Sequence, residues 1–162
     1  ALIIDETGVA DVYTIGYGLK DTAIVLLGEE NIQSGRLFSD NVNNYIYLRR
    51  QNGTTAAYKT TTDMKNKSPL GAIENLTEIS AFRTTKTDTY FGGKNAFSPV
   101  VTILNHQGVS FEKAFGATTE TIKAMLPSKG SIFVICESSG TSQNVGKNFG
   151  GTDALIVKLR FV

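Results

Sequence analysis

Apolar positions along this chain fall in short runs, some of which alternate with period two. The cleanest case is residues 153–161. There Leu155, Val157, Leu159 and Phe161 share one parity, while Ala154, Ile156, Lys158 and Arg160 share the other. Such alternation predicts a strand with its first set on a core and its second toward solvent or a neighbouring sheet. Shorter β-branched or aromatic runs at 11–17, 22–28, 44–50, 98–104 and 131–136 predict further strands, most of them bounded by Gly, Asn, Asp or Ser. No window longer than about ten residues carries a clean helical stripe. Residues 72–79 and 119–126 suit helix and strand equally. The pattern predicts an all-β chain.

Three stretches share one plan of strand, glycine-bearing turn and strand. They are residues 1–16, 45–60 and 100–116, turning at Gly8, Gly53 and Gly108. A tight hairpin needs a residue at positive φ, which glycine supplies without a Cβ penalty, and Asn52-Gly53 is the strongest such signal. The first and third stretches align without gaps at an offset of 100 residues, and successive turns stand 45 and 55 residues apart. The phrase Phe91-Gly92-Gly93-Lys94-Asn95-Ala96 returns as Phe149-Gly150-Gly151-Thr152-Asp153-Ala154. Periods of this size point to solenoids, propellers or arrays. About three units of four short strands are expected, with bounds near 9–53, 54–108 and 109–162. Propeller-type blades are the first architecture for them. A β-trefoil, three such units closed by pseudo-threefold symmetry, is the alternative.

Residues 121–159 resemble the bacterial β-propeller repeat family of SBBP type. The resemblance lies in Gly130, the apolar run Ile132–Ile135, Ser138 and Ser139, Asn148, then Gly150, Gly151, Asp153 and Ala154, and the closing Lys158-Leu159. It is partial over 80–116, and over the first 80 residues it reduces to the hairpin pattern, with the phrase missing before Tyr45. Membership would imply four-stranded blades, with the strand after the Gly-Gly phrase outer or penultimate and the following hairpin leading into the next blade. Three blades cannot close a ring, since propellers use four to eight. Residues 1–5 match the strand that follows the phrase, so the chain starts in mid-repeat: either it is processed or a piece of a longer chain, as the missing initiator Met also suggests, or residues 1–5 pair with another chain or another copy.

Composition narrows the function classes. Of 162 residues, 41% are hydrophobic, enough for a core, and the net charge of +1 gives no pull toward nucleic acid or anionic membrane. Lys59, Lys65 and Lys67 are expected in a solvated loop. The one cysteine, Cys136, sits in an apolar strand and is expected to be a buried, inert thiol. No apolar run approaches the roughly 20 residues of a membrane helix. Abundant Thr, Asn, Gly and Ser without Trp suggest an extracellular or virion surface, such as a phage tail, fibre or baseplate.

Catalytic patterns are absent from the sequence. Residues 140–148 miss the phosphate-loop spacing, with Asn148 where a hydroxyl is needed. His106, the only histidine, falls in a turn with no nucleophile motif to serve. Residues 39–44 hold one carboxylate, Asp40, and read as an Asx turn rather than a calcium loop. Asn52 and Asn75 fit the glycosylation pattern. No catalytic residue, metal or cofactor is assigned. For ligand binding, Tyr90 beside Asp88 is the best stacking candidate, with Asn144 and Asn148 in the polar loop before the last strand. The expected function is a non-enzymatic structural or binding module. It would meet a protein partner or further copies of itself through open sheet edges. A lectin-like carbohydrate-binding domain is the alternative. A carboxylate-based polysaccharide enzyme, drawing on Glu29, Glu30, Glu74, Glu78 and Asp88, is a further one.

Overall fold

Fourteen strands and no helix make up the described residues of the computed structural model, which are 2–15, 22–61, 66–71, 73–140 and 151–161. They form four antiparallel meander sheets in chain order. The first holds β1 (Leu2–Ile4), β2 (Ala10–Ile15) and β3 (Thr22–Glu29). The second holds β4 (Ile32–Ser39), β5 (Asn43–Arg50), β6 (Thr55–Thr61) and β7 (Lys67–Gly71). The third holds β8 (Glu78–Thr84), β9 (Thr89–Lys94), β10 (Pro99–Asn105) and β11 (Gly108–Ala114). The fourth holds β12 (Glu120–Ser128), β13 (Ser131–Ser138) and β14 (Asp153–Arg160). In every sheet each strand pairs with its neighbour in sequence, and among the described residues none pairs with a strand of another sheet. A trefoil closes its barrel by pairing between units, so this topology does not support that alternative.

All three glycine turns are hairpins at positive φ: Gly8 at 84°, Gly53 at 84° and Gly108 at 116°. They occupy different places, however. Gly8 lies in the opening hairpin of its sheet, Gly53 in the middle one and Gly108 in the closing one. Unit bounds placed at Gly53 and Gly108 therefore cut through sheets. The chain instead changes sheet between Glu29 and Ile32, between Gly71 and Glu78, and between Ala114 and Glu120, giving four sheets where three units were expected. A glycine hairpin keeps the chain within a meander. It takes a non-hairpin crossing to leave one, and these crossings carry no repeated phrase.

The chain divides into two compact units, residues 1–72 and 73–162. In the first, Ala10, Ile32, Ile46 and Leu48 form a core, with Leu2, Ile4, Leu37 and Tyr58 packed on it. Asp5 builds the β1–β2 turn. Its Oδ1 accepts from the Thr7 amide at 2.8 Å, the Thr7 hydroxyl at 2.7 Å and the Val9 amide at 2.9 Å. These bonds, the Thr7 hydroxyl first, hold the Asp5 carboxyl below its usual pKa. The Gly8 carbonyl then accepts from the Ile32 amide at 2.8 Å, tying the turn to the start of the second sheet.

In the second unit the third and fourth sheets pack face to face, with β12 lying over β8 and β9. Their shared core includes Tyr90, Val101, Ile103, Ile122, Met125, Ile132, Val134, Cys136 and Leu159. Leu155, Val157 and Phe161 pack against it, so the inward parity expected for the last strand is found. Of residues 119–126, ambiguous in sequence, 120–126 are strand. Glu120 is fully buried there. Its carboxylate accepts from the Ala117 amide and from the Thr119 and Ser138 hydroxyls, closing the turn into β12 onto the end of β13. Cys136 is buried as expected, and burial with the nearby Glu120 charge pushes its thiol up to about 11. Iodoacetamide at neutral pH should therefore label native Cys136 far more slowly than the urea-unfolded chain, because almost no thiolate is present or reachable. Equal labelling rates would show the thiol to be accessible.

Candidate interaction surface

The fourth sheet carries apolar residues on both faces. The inner parity of β13 is Ile132, Val134 and Cys136, all buried. The outer parity is Phe133, Ile135 and Glu137. Register places Ala124, Ile135 and Ile156 side by side across β12, β13 and β14, with Leu126, Phe133 and Lys158 in the adjoining row. Ile156 is 69% exposed, Leu126 59% and Ile135 42%. Lys158 extends over the Phe133 ring, its Nζ 5.3 Å from the centroid, and Lys123 pairs with Glu137 at 2.5 Å. Scattered exposed apolar residues such as Phe97 and Val42 at turn tips call for no explanation. Here three large ones share a face over two adjoining rows, together with Ala124 and Phe133, and contiguous exposed apolar surface marks interaction sites. The edge has the same character. Among the described residues β14 is flanked only by β13, whereas β10, which follows the earlier copy of the phrase, is flanked by both β9 and β11. An edge strand offers its backbone N–H and C=O groups to a further strand.

The residues singled out in sequence are not gathered in one place. Tyr90 is 4% exposed and belongs to the core between the third and fourth sheets, so its ring packs against protein. Burial, then the nearby Asp88 charge, pushes its phenol pKa up. Asp88 closes the β8–β9 turn, its amide donating to Thr85 Oγ1 at 3.1 Å and its carboxylate accepting from Thr87 Oγ1 at 2.6 Å. Asn144 and Asn148 lie outside the described residues. Glu78 and Asp88 stand at opposite ends of the β8–β9 hairpin, on the order of 20 Å of strand apart. Asp40 does form an Asx turn, accepting from the Val42 amide at 3.0 Å and the Asn43 amide at 2.8 Å. Its second oxygen takes the Tyr45 hydroxyl at 2.9 Å. Of the three grouped lysines, Lys59 and Lys67 lie on strands β6 and β7 rather than in a loop, and Lys67 reaches Glu29; Lys65 lies outside the described residues.

One feature of the sequence does point to the outer row. Residues 131–136 are apolar on both parities, which is the mark of a strand covered on both faces. The described chain thus belongs to the class of all-β proteins built from successive antiparallel meander sheets. Comparison with protein-family models, with curated proteins and with solved structures gives no match.

Proposed function

We propose that this chain is a non-enzymatic structural module whose sheets act as propeller-type blades and whose fourth sheet docks further β-structure, other copies of the chain first. The observation that carries the reading is the exposed apolar group Leu126, Ile135 and Ile156, spread over two adjoining rows on the outer face of β12–β14. Support for the blade reading comes from the meander topology and from the Gly-Gly phrase preceding the third strand of both the third and fourth sheets. The proposed setting, an extracellular or virion surface, rests on composition alone.

Sedimentation velocity over a range of concentrations tests the reading. The wild-type chain should associate as concentration rises. The Ile135→Lys, Ile156→Lys double variant should remain monomeric with an unchanged circular-dichroism spectrum, because two charges on an apolar contact face oppose its desolvation. A wild-type chain that stays monomeric throughout would count against docking between copies.

A further inference from the structure

The chain contains a single Asn-Gly pair, Asn52-Gly53, at the exposed tip of the β5–β6 hairpin. This dipeptide is chemically labile. Base removes the proton from the Gly53 amide, and its nitrogen forms a bond to Asn52 Cγ. The Cγ–Nδ2 bond then breaks and ammonia leaves. Water opens the resulting five-membered imide at one carbonyl or the other, leaving an aspartate or a β-linked isoaspartate in place of Asn52. The departing nitrogen takes up a proton, which regenerates the base, so the net change consumes one water and releases one ammonia. Glycine favours the attack because no side chain crowds its nitrogen.

The folded hairpin occupies both reacting groups. The Gly53 N–H donates to the Arg50 carbonyl at 2.9 Å, so the nucleophile is held in the turn. Asn52 Oδ1 accepts from the Thr54 amide at 3.0 Å and from the Thr54 hydroxyl at 2.7 Å, so the electrophilic amide is pinned to the residue beyond. The turn is closed beneath them by the Arg50 amide donating to the Thr54 carbonyl at 2.8 Å. We infer that Asn52 is a site of spontaneous succinimide formation gated by this hairpin, reacting only when the Arg50–Thr54 turn opens. The modification has a structural consequence. A β-linkage adds a backbone carbon beside the Arg49–Thr55 pair, at the mouth of the hairpin formed by β5, whose Tyr45, Ile46, Tyr47 and Leu48 are all buried. The site would then act as a slow, irreversible ageing mark on the central hairpin of the second sheet.

The test is incubation of the intact chain at mildly alkaline pH, folded and in urea, followed by tryptic digestion and mass spectrometry of residues 51–59. Conversion of Asn52 should be about tenfold slower or more in the folded chain, the ratio reflecting how rarely the hairpin opens. Thr54→Ala should speed conversion several-fold in the folded chain and leave the urea rate unchanged. Thr54→Ser, which keeps the hydroxyl, should restore the slow rate. A circular-dichroism spectrum matching wild type establishes that the variants are folded. Equal rates in folded and unfolded chain would overturn the inference. So would a folded Thr54→Ala chain that converts no faster than wild type.

Discussion

Gly93→Ala should destabilise the 73–162 unit by about 3 kcal/mol or more, at the upper end of what overpacking costs. A Cβ at Gly93 would stand 1.8 Å from the Glu78 carbonyl oxygen, 2.9 Å from its carbon and 3.0 Å from Ile79 Cα. All three are backbone atoms of β8, the strand to which Gly93 is paired at Ile79. No rotamer change relieves such a clash, so the β8–β9 ladder must part where Thr77 and Lys94 also close it. Gly92→Ala is the control. Its Cβ would meet Ile122 Cγ2 at 2.9 Å and Met125 Sδ at 3.0 Å, which are side-chain atoms able to shift. That variant should lose about 1 kcal/mol. Urea unfolding followed by far-ultraviolet circular dichroism separates the two, and equal midpoints would show that β8 does not press on Gly93.

Glu29→Gln should cost the 1–72 unit about 2 kcal/mol. The Glu29 side chain is 13% exposed and sits at the end of β3. It accepts from Arg50 of β5 at 2.7 Å, from the Tyr58 hydroxyl of β6, and from Lys67 of β7 at 3.4 Å. Lys67 also lies over the Tyr58 ring, 4.3 Å from its centroid. One carboxylate thus ties the first sheet to three strands of the second, and an amide cannot accept from all of them with equal strength. Burial by itself would raise the Glu29 pKa. The Tyr58 and Arg50 hydrogen bonds, with the Lys67 and Arg50 charges, outweigh burial and leave it below the ordinary value of 4.5. A carboxyl depressed in the folded state contributes stability that is present above its unfolded pKa and lost as pH falls through the folded one. The wild-type advantage over Glu29→Gln should therefore hold at neutral pH and shrink below about pH 4.5. An advantage independent of pH would show that charge is not what Glu29 contributes.

Strand identity was legible wherever side chains alternate or run apolar. All six strands read from apolar runs are present, including β14 with its inward Leu155, Val157 and Leu159. Three of the strands not read from the sequence, β4, β7 and β9, carry Gly or Pro, which look like punctuation. β9 contains Gly92 and Gly93, and β4 contains Gly35, where a Cβ would meet Leu2 Cδ2 at 2.7 Å. In these places glycine marks close approach, to the paired strand at Gly93 and to another sheet at Gly92 and Gly35, a fact about packing that a local reading takes for a turn. β7 contains Pro69 and is largely exposed, as suits an edge strand. The repeated phrase misled in a similar way. Phe91 to Gly93 lie inside β9, whereas Gly151 lies outside any strand at a φ of 71°. The second glycine of the phrase thus takes two conformations, Gly93 within a strand and Gly151 outside one.

The candidate surface was less legible than the fold. Tyr90 and Asp88 drew notice because aromatic and acidic residues suggest ligand chemistry, but burial of Tyr90 depends on the sheet packed over it by β12. Glu120 and the Glu29 cluster were equally invisible, since each depends on groups brought from distant strands. The outer face of β13 was written in Phe133 and Ile135, yet its meaning emerges only when β12 and β14 add Leu126 and Ile156 in register.

Hydrogen–deuterium exchange at low and high protein concentration most directly tests where the chain meets its partner. Docking on the fourth sheet predicts that amides of β14 gain protection as concentration rises, while β5 and β10 remain slow throughout. Exchange in β14 that does not change with concentration, or new protection confined to other strands, would contradict the account.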